Sequence, residues 1–328
     1  MTTLPVRRPH APDSARRPRP RLAITLGDPR GIGPEIVAKA LADPRVQAAC
    51  DMVVIGPSGT GVEAQVAIGI WRAGALAGSL ADAGRLSGLA IERAVAMASS
   101  GEVDGIVTAP IDKRALLAGG FDFPGHTEML GALTGARVAM MLASTREGAH
   151  PLRVILATTH IALSEVPRAL TERAIADAAA VTRAGLRDWY GLTNPRIALC
   201  ALNPHAGDGG RFGREDDELL APAARAYGLA GPFPADTVFV RALRGAFDAV
   251  IAPYHDVGMT AIKVASFGSA VNVTLGLPFP RTSPDHGTAL DIAGSNTADP
   301  SSIIAATLEC ARIAAVVATA PLLRTATP

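Results

Sequence analysis

Short apolar runs alternate along this chain with longer segments of helical periodicity, and this alternation most narrows the fold it can adopt. Seven apolar runs predict buried strands at residues 22–26, 52–55, 106–108, 138–143, 154–157, 197–201 and 249–252. Four periodic segments predict helices at about residues 35–41, 91–98, 171–190 and 301–317. Apolar strands separated by helices predict an α/β fold whose largely parallel sheet is covered on both faces. Residues 57–85, rich in Gly and Ala, predict an irregular excursion.

Length and charge narrow the class of protein further. A chain of 328 residues exceeds the usual size of one domain, which predicts two lobes. Residues 1–21 carry six Arg against one Asp and predict a disordered basic tail, whereas the remainder has 25 basic and 29 acidic residues. A body without excess positive charge argues against a nucleic acid partner.

Several features predict a soluble cytoplasmic protein. The tail is followed by no apolar core of a secretion signal. The apolar stretch 303–323 is interrupted by Glu309, Arg312 and Pro321, which favours a buried helix over a membrane span. Three widely separated cysteines (Cys50, Cys200 and Cys310) suit a reducing compartment and form neither a disulfide framework nor a CxxC metal motif.

Polar and ionisable residues follow five of the predicted strands at the point where each strand ends. They lie in the segments 27–31, 109–113, 159–160, 203–207 and 254–256. In open α/β sheets, ligands bind beyond the carboxyl ends of the strands. We therefore expect these five segments to meet at one site.

Three of the seven histidines, namely His160, His205 and His255, end separate strands in this way. Any one of them alone is typical of an imidazole that bonds to its own loop, but the coincidence favours a shared site. Three imidazoles with an open position suit a catalytic divalent metal. Their spacing matches no local metal motif, and such a site accepts Zn, Mg, Co or Mn according to geometry and availability.

A second group of polar residues predicts an anion pocket. Lys263, Asn272 and Arg281 follow His255 at near-regular intervals, and a converging Lys, amide and Arg would bind phosphate or carboxylate. The Gly loop 27–35 predicts either an anion site at a helix N-terminus or a tight turn between strand and helix. Likewise, the polar loop 285–294 predicts either a nucleotide contact or an elaborate turn.

Lysine is rare here, since 28 of the 31 basic residues are Arg. Lys39, in the first predicted helix, is expected on the surface. Lys113 follows a strand end near the predicted site, and its role stays open. Lys263 is the expected substrate ligand, because a compact ammonium where Arg is otherwise usual indicates a need for a point charge.

Eight segments together resemble one enzyme family, that of the 4-hydroxythreonine-4-phosphate dehydrogenases (the PdxA family), which act early in pyridoxal phosphate synthesis. The segments are GDPRGIGPE (27–35), PGHTE (124–128), ATTHIALSEVP (157–167), NPHAGDGG (203–210), GPFPADTVF (231–239), YHDVG (254–258), VNVTLGLPFPRTS (271–283) and DHGTALDIAG (285–294). They extend over nearly all of the chain from residue 22 onward, and together they are far more specific than any single motif.

The resemblance implies an isocitrate/isopropylmalate-dehydrogenase-like fold, with two α/β lobes around a cleft and a homodimer that shares its active sites. We expect one lobe at about 22–130 with 285–328 and the other at 131–284. The family's metal ligands, contributed across the dimer interface, correspond to His160, His205 and His255. Its substrate-binding positions fall on His126, Thr127, Lys263, Asn272 and Arg281, and we expect Lys263 and Asp256 to be catalytic. NAD or NADP is expected at His286, Gly287, Ala289 and Asp291, although the Rossmann fingerprint is missing.

The resemblance also implies a reaction: metal-dependent oxidation of the secondary alcohol of 4-phosphohydroxy-L-threonine by NAD(P), with decarboxylation of the β-keto acid. The alternative within the family is a D-erythronate or D-threonate 4-phosphate dehydrogenase. Other relatives act on aromatic dihydrodiols, but PGHTE and the Lys/Asn/Arg set favour a phosphorylated substrate. Val257 stands where the family usually has Gln, and Asp112 where Asn or His is common, so the exact substrate stays open.

Two functions from other classes also fit some of these residues. A metallohydrolase or acyltransferase would use three histidines and an anion pocket, but the chain has neither a carboxylate-rich two-metal pattern nor a GxSxG elbow. A non-catalytic phosphate-binding relative would retain the pocket without turnover.

Overall fold

The computed structural model describes residues 19–72, 79–144, 150–266 and 270–319. Within these ranges the chain forms eleven strands and eleven α-helices. The strands are β1 (Arg21–Thr25), β2 (Asp51–Ser58), β3 (Val66–Ile70), β4 (Gly105–Thr108), β5 (Ala139–Ser144), β6 (Arg153–Leu156), β7 (Ile197–Cys200), β8 (Ala230–Phe233), β9 (Ala249–Ala252), β10 (Ala270–Leu275) and β11 (Arg281–Pro284). The helices are α1 (Gly33–Ala42), α2 (Pro44–Ala49), α3 (Ser79–Ser100), α4 (Lys113–Ala118), α5 (His126–Thr134), α6 (Val166–Ala169), α7 (Glu172–Tyr190), α8 (Ala221–Ala226), α9 (Ala235–Leu243), α10 (His255–Ser266) and α11 (Ser301–Thr319).

All eleven strands form one continuous sheet in the order β3-β2-β1-β4-β11-β10-β5-β6-β9-β7-β8. Within each end of the sheet the strands run parallel, as predicted. Between the ends, β10 pairs antiparallel with both β11 and β5, and β5 pairs antiparallel with β6, so the two ends run in opposite directions. Only residues 276–280 join β10 to β11, and a connection this short can link only antiparallel neighbours. The predicted lobe boundaries stay a prediction.

The seven predicted strands all form, but two parts of the chain differ from the sequence prediction. The excursion at 57–85 contains β3 and the beginning of α3, with residues 73–78 outside the described ranges. β3 lies at the sheet edge, and its largely exposed residues lack the apolar alternation that marks a buried strand. In the predicted tail, residues 1–18 lie outside the described ranges, whereas Arg21 begins β1.

The helix α11 covers the centre of the sheet. By length and composition it is the one described helix that could cross a membrane. Its inward residues, including Ile303, Cys310 and Ile313, are buried in the main core against β11 and β4. This burial agrees with the core helix predicted for the stretch 303–323, of which residues 320–323 lie outside the described ranges.

Close packing of α3 against α4 fixes the helix that begins at Lys113. A Cβ added at Gly84 would lie 1.6 Å from the carbonyl oxygen of Ala115, and one at Gly119 would lie 2.2 Å from the amide of Arg85. Overpacking a well-packed core typically costs about 1–3 kcal/mol. We expect Gly84→Ala to lower the free energy of unfolding by at least this amount, measured by urea denaturation. Gly61→Ala, at a position with no atom within 4 Å, tests the strain of a positive φ without overpacking.

Candidate active site

A cavity of about 1040 Å³ lies where the ends of β4 and β6 meet β10 and β11. Its walls come from strand ends, the first turn of α5 and the face of α10 that carries His255 and Lys263. The predicted residues that line it are Lys113, His126, Thr127, His160, His255, Lys263, Asn272, Arg281, His286 and Gly287. Four other predicted residues are not among its lining: His205, Asp256, Ala289 and Asp291.

Arg281, at the beginning of β11, is a buried cation in the floor of this cavity. Its side chain is almost fully buried, and its guanidinium donates to the hydroxyls of Thr274 at 2.8 Å and Thr108 at 2.5 Å. Burial lowers the pKa of Arg281 to about 9. Among the described residues it forms no ion pair with a carboxylate, so a negative charge from elsewhere would stabilise it.

Three buried polar atoms around Arg281 have no hydrogen-bond partner among the described residues. They are Nε of Arg281 itself, Nε2 of His126 and Oδ1 of Asn272. Buried polar groups in proteins are nearly always satisfied, so orphaned atoms that share a cavity indicate a polar ligand. One nitrogen of the guanidinium itself and one of a neighbouring imidazole suit an anion such as a phosphate. The structure thus brings together three of the predicted substrate residues.

Two threonines that hold Arg281 were missed by the sequence analysis. Thr108 is the last residue of β4, and Thr274 lies two residues after Asn272 on β10. Residues two apart on a strand face the same side of the sheet. That period could have placed Thr274 beside Asn272 from the sequence alone.

The pKa of His126 is held well below its usual value, first by burial and then by the positive charge of Arg281. In the unfolded chain this histidine would gain a proton below about pH 6.5. Since the unfolded state then binds more protons, stability is lost as the pH falls below that value. As the pH falls, we expect the free energy of unfolding to decrease more steeply in the parent protein than in His126→Gln. The difference in slope should be up to about 1.4 kcal/mol per pH unit. Urea denaturation at pH 7, 6 and 5 measures this difference, and parallel curves would contradict it.

His160 and His255 lie together at the rim of the cavity, with ring centroids 5.5 Å apart. Partial desolvation at the rim, followed by the charges of Lys113 and His255, lowers the pKa of His160, which favours the neutral imidazole that binds metals. Nδ1 of His255 is 2.7 Å from Oδ1 of Asp256. A carboxylate only accepts hydrogen bonds, so Nδ1 carries the proton and Nε2 of His255 is free to bind a cation. Asp256 therefore orients His255 from outside the cavity.

His205 is exposed near Phe212, with ring centroids 6.3 Å apart, and is not part of the cavity lining. Among the described residues of one chain, no group of three or more His, Cys, Asp or Glu could hold a metal ion. His160 and His205 both adopt left-handed backbone, with φ of 41° and 53°. Non-glycine residues rarely do so, and such strain tends to cluster at functional sites.

The Gly loop 27–35 joins the first strand to α1 beside the cavity. Buried Asp28 forms a two-point ion pair with Arg30, whose Nη2 also lies 3.5 Å from Asp112. Asp112 caps α4 by accepting from the amides of Arg114 and Ala115. The acidic residue that departs from the family pattern therefore stabilises the helix that begins at Lys113.

The predicted cofactor loop packs directly on this Gly loop. The amide of Ile32 donates to the carbonyl of Thr288, and a Cβ at Gly31 would lie 2.7 Å from that oxygen. Ala289 is half-buried with φ of 42°, and Asp291 is exposed. A second cavity of about 620 Å³, lined in part by Gly31, Trp71 and Gly294, lies beside the loop.

Lys39 differs from its predicted role as a plain surface residue. Its ammonium donates to Oε1 of Glu35 at 2.8 Å and to the carbonyls of Asn296 and Ala298 at 3.1 and 2.8 Å. A cation near the end of α1 thus ties that helix to the segment after the predicted cofactor loop. These three bonds use all three protons of the ammonium.

Solved structures of known proteins have a similar architecture. A solved structure titled 4-hydroxythreonine-4-phosphate dehydrogenase from Klebsiella pneumoniae is 36% identical with a TM-score of 0.77, over 92% of this chain and 99% of that one. A terephthalate 1,2-cis-dihydrodiol dehydrogenase from Burkholderia xenovorans is 27% identical with a TM-score of 0.59, over 87% of this chain and 95% of that one. The fold is isocitrate/isopropylmalate-dehydrogenase-like, as predicted.

The sequence comparisons define the family. The 4-hydroxythreonine-4-phosphate dehydrogenase of Desulfosudis oleivorans is 43% identical over 88% of this chain and 94% of its own. Residues 42–310 match the family model described as pyridoxal phosphate biosynthetic protein PdxA. The chain therefore belongs to the PdxA family, as the sequence motifs indicated.

Proposed function

We propose that this chain is a divalent-metal- and NAD(P)-dependent dehydrogenase of 4-phosphohydroxy-L-threonine. It oxidises the secondary alcohol, and the β-keto acid product loses CO₂, as a step of pyridoxal phosphate biosynthesis. Relatives more than 40% identical carry the name 4-hydroxythreonine-4-phosphate dehydrogenase, which supports this substrate. We further propose that the enzyme works in the cytoplasm as a homodimer with its active sites at the interface.

The observation that carries this proposal is the buried Arg281 beside the orphaned atoms of His126 and Asn272 in one cavity with His160 and His255. A desolvated guanidinium without a carboxylate partner among the described residues fits a phosphorylated substrate. His160 and His255 line the same cavity, which supports chemistry on the alcohol of a substrate whose phosphate binds at Arg281. This arrangement supports an anionic substrate, and the names of the relatives support a phosphorylated hydroxy acid over a dihydrodiol dicarboxylate.

Different residues of this chain bind different groups of the substrate. Arg281 and His126 hold the phosphate, Asn272 orients the substrate, and Thr127 donates from the first turn of α5. Lys263 lines the cavity on α10 and is exposed to it, so its ammonium can hold the substrate's carboxylate or exchange a proton with the reacting alcohol. Asp256 fixes the ring of His255.

The donor set fits a divalent cation, because two imidazoles lie together and one has its Nε2 oriented outward by a carboxylate. His160, His205 and His255 would hold it, with at least one of the three supplied by a second copy of the chain. When bound, the cation supplies a Lewis acid that favours ionisation of the alcohol. Zn, Mg, Co and Mn all suit such a site.

When bound, NAD or NADP would supply the acceptor for the hydride of the alcohol carbon. His286 and Gly287 of the proposed cofactor loop line the main cavity, which is where the nicotinamide end must reach. Ala289 and Asp291 lie further along the same loop and would contact the adenosine end. The hydrogen bond from Ile32 to Thr288 fixes this loop against α1.

A substrate panel tests the proposal. The purified enzyme is supplied with a divalent metal and either NAD or NADP, and NAD(P)H absorbance is followed with 4-phosphohydroxy-L-threonine, D-erythronate 4-phosphate, D-threonate 4-phosphate and a dihydrodiol dicarboxylate. We expect turnover of the phosphorylated threonine derivative with the highest kcat/KM. Turnover of the sugar-acid phosphates alone would overturn the assignment. Release of phosphate without any NAD(P)H would instead indicate a hydrolase.

A further inference from the structure

Two carboxylates hold the segment that leads into His205. Asp216 accepts from the amide of Leu202 through Oδ1 at 2.8 Å and from the amide of Asn203 through Oδ2 at 2.9 Å. The neighbouring Glu215 accepts from the side-chain amide of Asn203 at 2.8 Å. We call Asp216 and Glu215 the acidic clamp. It fixes the two residues that enter the turn of His205.

Asp216 is fully buried, at the beginning of a single π-helical turn (Asp216–Leu220). Within the described part of the chain it forms no ion pair, so the two backbone amides satisfy its charge. Burying a carboxylate is costly unless it is hydrogen-bonded, which makes these two bonds essential to its placement. An Asn at this position has one oxygen, and its NH₂ group would face one of the two amide donors.

The turn that the clamp fixes is strained. His205, Ala206 and Asp208 have φ of 53°, 54° and 46°, in the left-handed region that non-glycine residues rarely adopt. Such residues persist only where the surrounding structure determines them. The far side of the turn is closed by a hydrogen bond from the amide of Phe212 to the carbonyl of Gly207. The hydrogen bonds that the acidic clamp accepts fix the other side of the turn, where the chain enters it.

We propose that Asp216, assisted by Glu215, is a positioning residue that sets the affinity of the protein for its divalent cation through the placement of His205. Neither carboxylate is assigned to the cation or to substrate. The inference rests on the proposed function, in which His205 is a metal ligand. It adds that a fully buried carboxylate, eleven residues further along the chain, holds that ligand in place.

The test measures Co²⁺ binding directly. Full-length protein is stripped with a chelator and titrated with Co²⁺, followed by visible absorption, well below the unfolding temperature of every variant. Partners that orient metal ligands typically contribute about 10–100-fold in metal affinity. We expect Asp216→Asn to weaken Co²⁺ binding by about this factor, and saturating Co²⁺ to restore turnover. Asp217→Asn, the same change at an exposed neighbour, should leave the affinity unchanged.

The outcomes separate the inference from the function on which it rests. If His205→Ala does not weaken Co²⁺ binding, the proposed metal role of His205 is wrong and the inference falls with it. If His205→Ala weakens binding while folded Asp216→Asn binds like the parent, the inference alone is wrong. Loss of turnover that saturating Co²⁺ cannot restore would indicate a merely structural role and would also overturn it.

A second variant keeps the inference testable if Asp216→Asn does not fold. Glu215 is only partly buried, so Glu215→Ala should fold while removing the bond to the side chain of Asn203. We expect Glu215→Ala to weaken Co²⁺ binding, though less than Asp216→Asn does. Asp217→Asn should not weaken it. Unchanged affinity in Glu215→Ala would then overturn the inference.

Discussion

Replacing Arg281 with Met should lower kcat/KM for the phosphorylated substrate by about 10²–10⁴-fold, because hydrogen bonds to charged groups contribute about 1.5–3 kcal/mol each and two would be lost. The guanidinium is fully desolvated, so its charge acts on a bound phosphate without competition from water. Most of the loss should be seen as a higher KM, since the cation holds a group remote from the reacting alcohol. Initial rates over a range of substrate concentrations measure both constants.

The same substitution should have little effect on the fold. Replacing a buried charge with an apolar side chain of similar size is often neutral, although the hydroxyls of Thr108 and Thr274 lose their partner. We expect the free energy of unfolding to change by no more than about 2 kcal/mol. Arg225→Met, at an exposed position of α8, is the matched control and should change neither quantity. A large loss of stability with unchanged KM would show that Arg281 is a structural cation and not a substrate ligand.

The polar residues that follow the strands were the part of the site that the sequence predicted best. Lys113, His160 and His255 follow different strands, and the structure brings all three to one cavity. His160 and His255 follow β6 and β9, which pair in parallel and so have their carboxyl ends at one edge of the sheet. Lys113 follows β4, which runs opposite to them because three antiparallel pairings lie between. The predicted segments 27–31 and 203–207 do not line the cavity.

What the sequence could not show depends on three-dimensional packing. Nothing in the pattern of β11 distinguishes a buried Arg281 from an exposed one, because its burial follows from the antiparallel strand placed beside it. The helix cap supplied by Asp112 likewise looked like a departure in the substrate pocket. His205 ends a strand as His160 does, yet it lies outside the cavity lining of its own chain.

Substituting His160 by Asn should lower turnover at limiting metal by about 10³-fold, since a bound cation contributes several kcal/mol to stabilising developing charge. Asn suits this position because it tolerates the left-handed backbone that His160 adopts, with φ of 41°. The change therefore removes the imidazole without adding backbone strain. Because His160 is exposed, the unfolding temperature should stay close to that of the parent. Turnover of chelator-treated protein measures the loss of activity at limiting metal, and Co²⁺ titration of the same protein measures the loss of metal affinity.

The control for His160→Asn is the same change at His10, in the basic segment outside the described residues. His10→Asn should keep the parent's metal affinity and turnover, so that any loss in His160→Asn belongs to the cavity. If His160→Asn retained parental turnover at limiting metal, His160 would not be a ligand and the role of the neighbouring His255 would need another explanation. If instead metal affinity fell while KM for the phosphorylated substrate at saturating metal stayed near that of the parent, the cation and the phosphate would be held by separate residues. That separation is what the geometry implies, because His160 lies at the rim of the cavity and Arg281 in its floor.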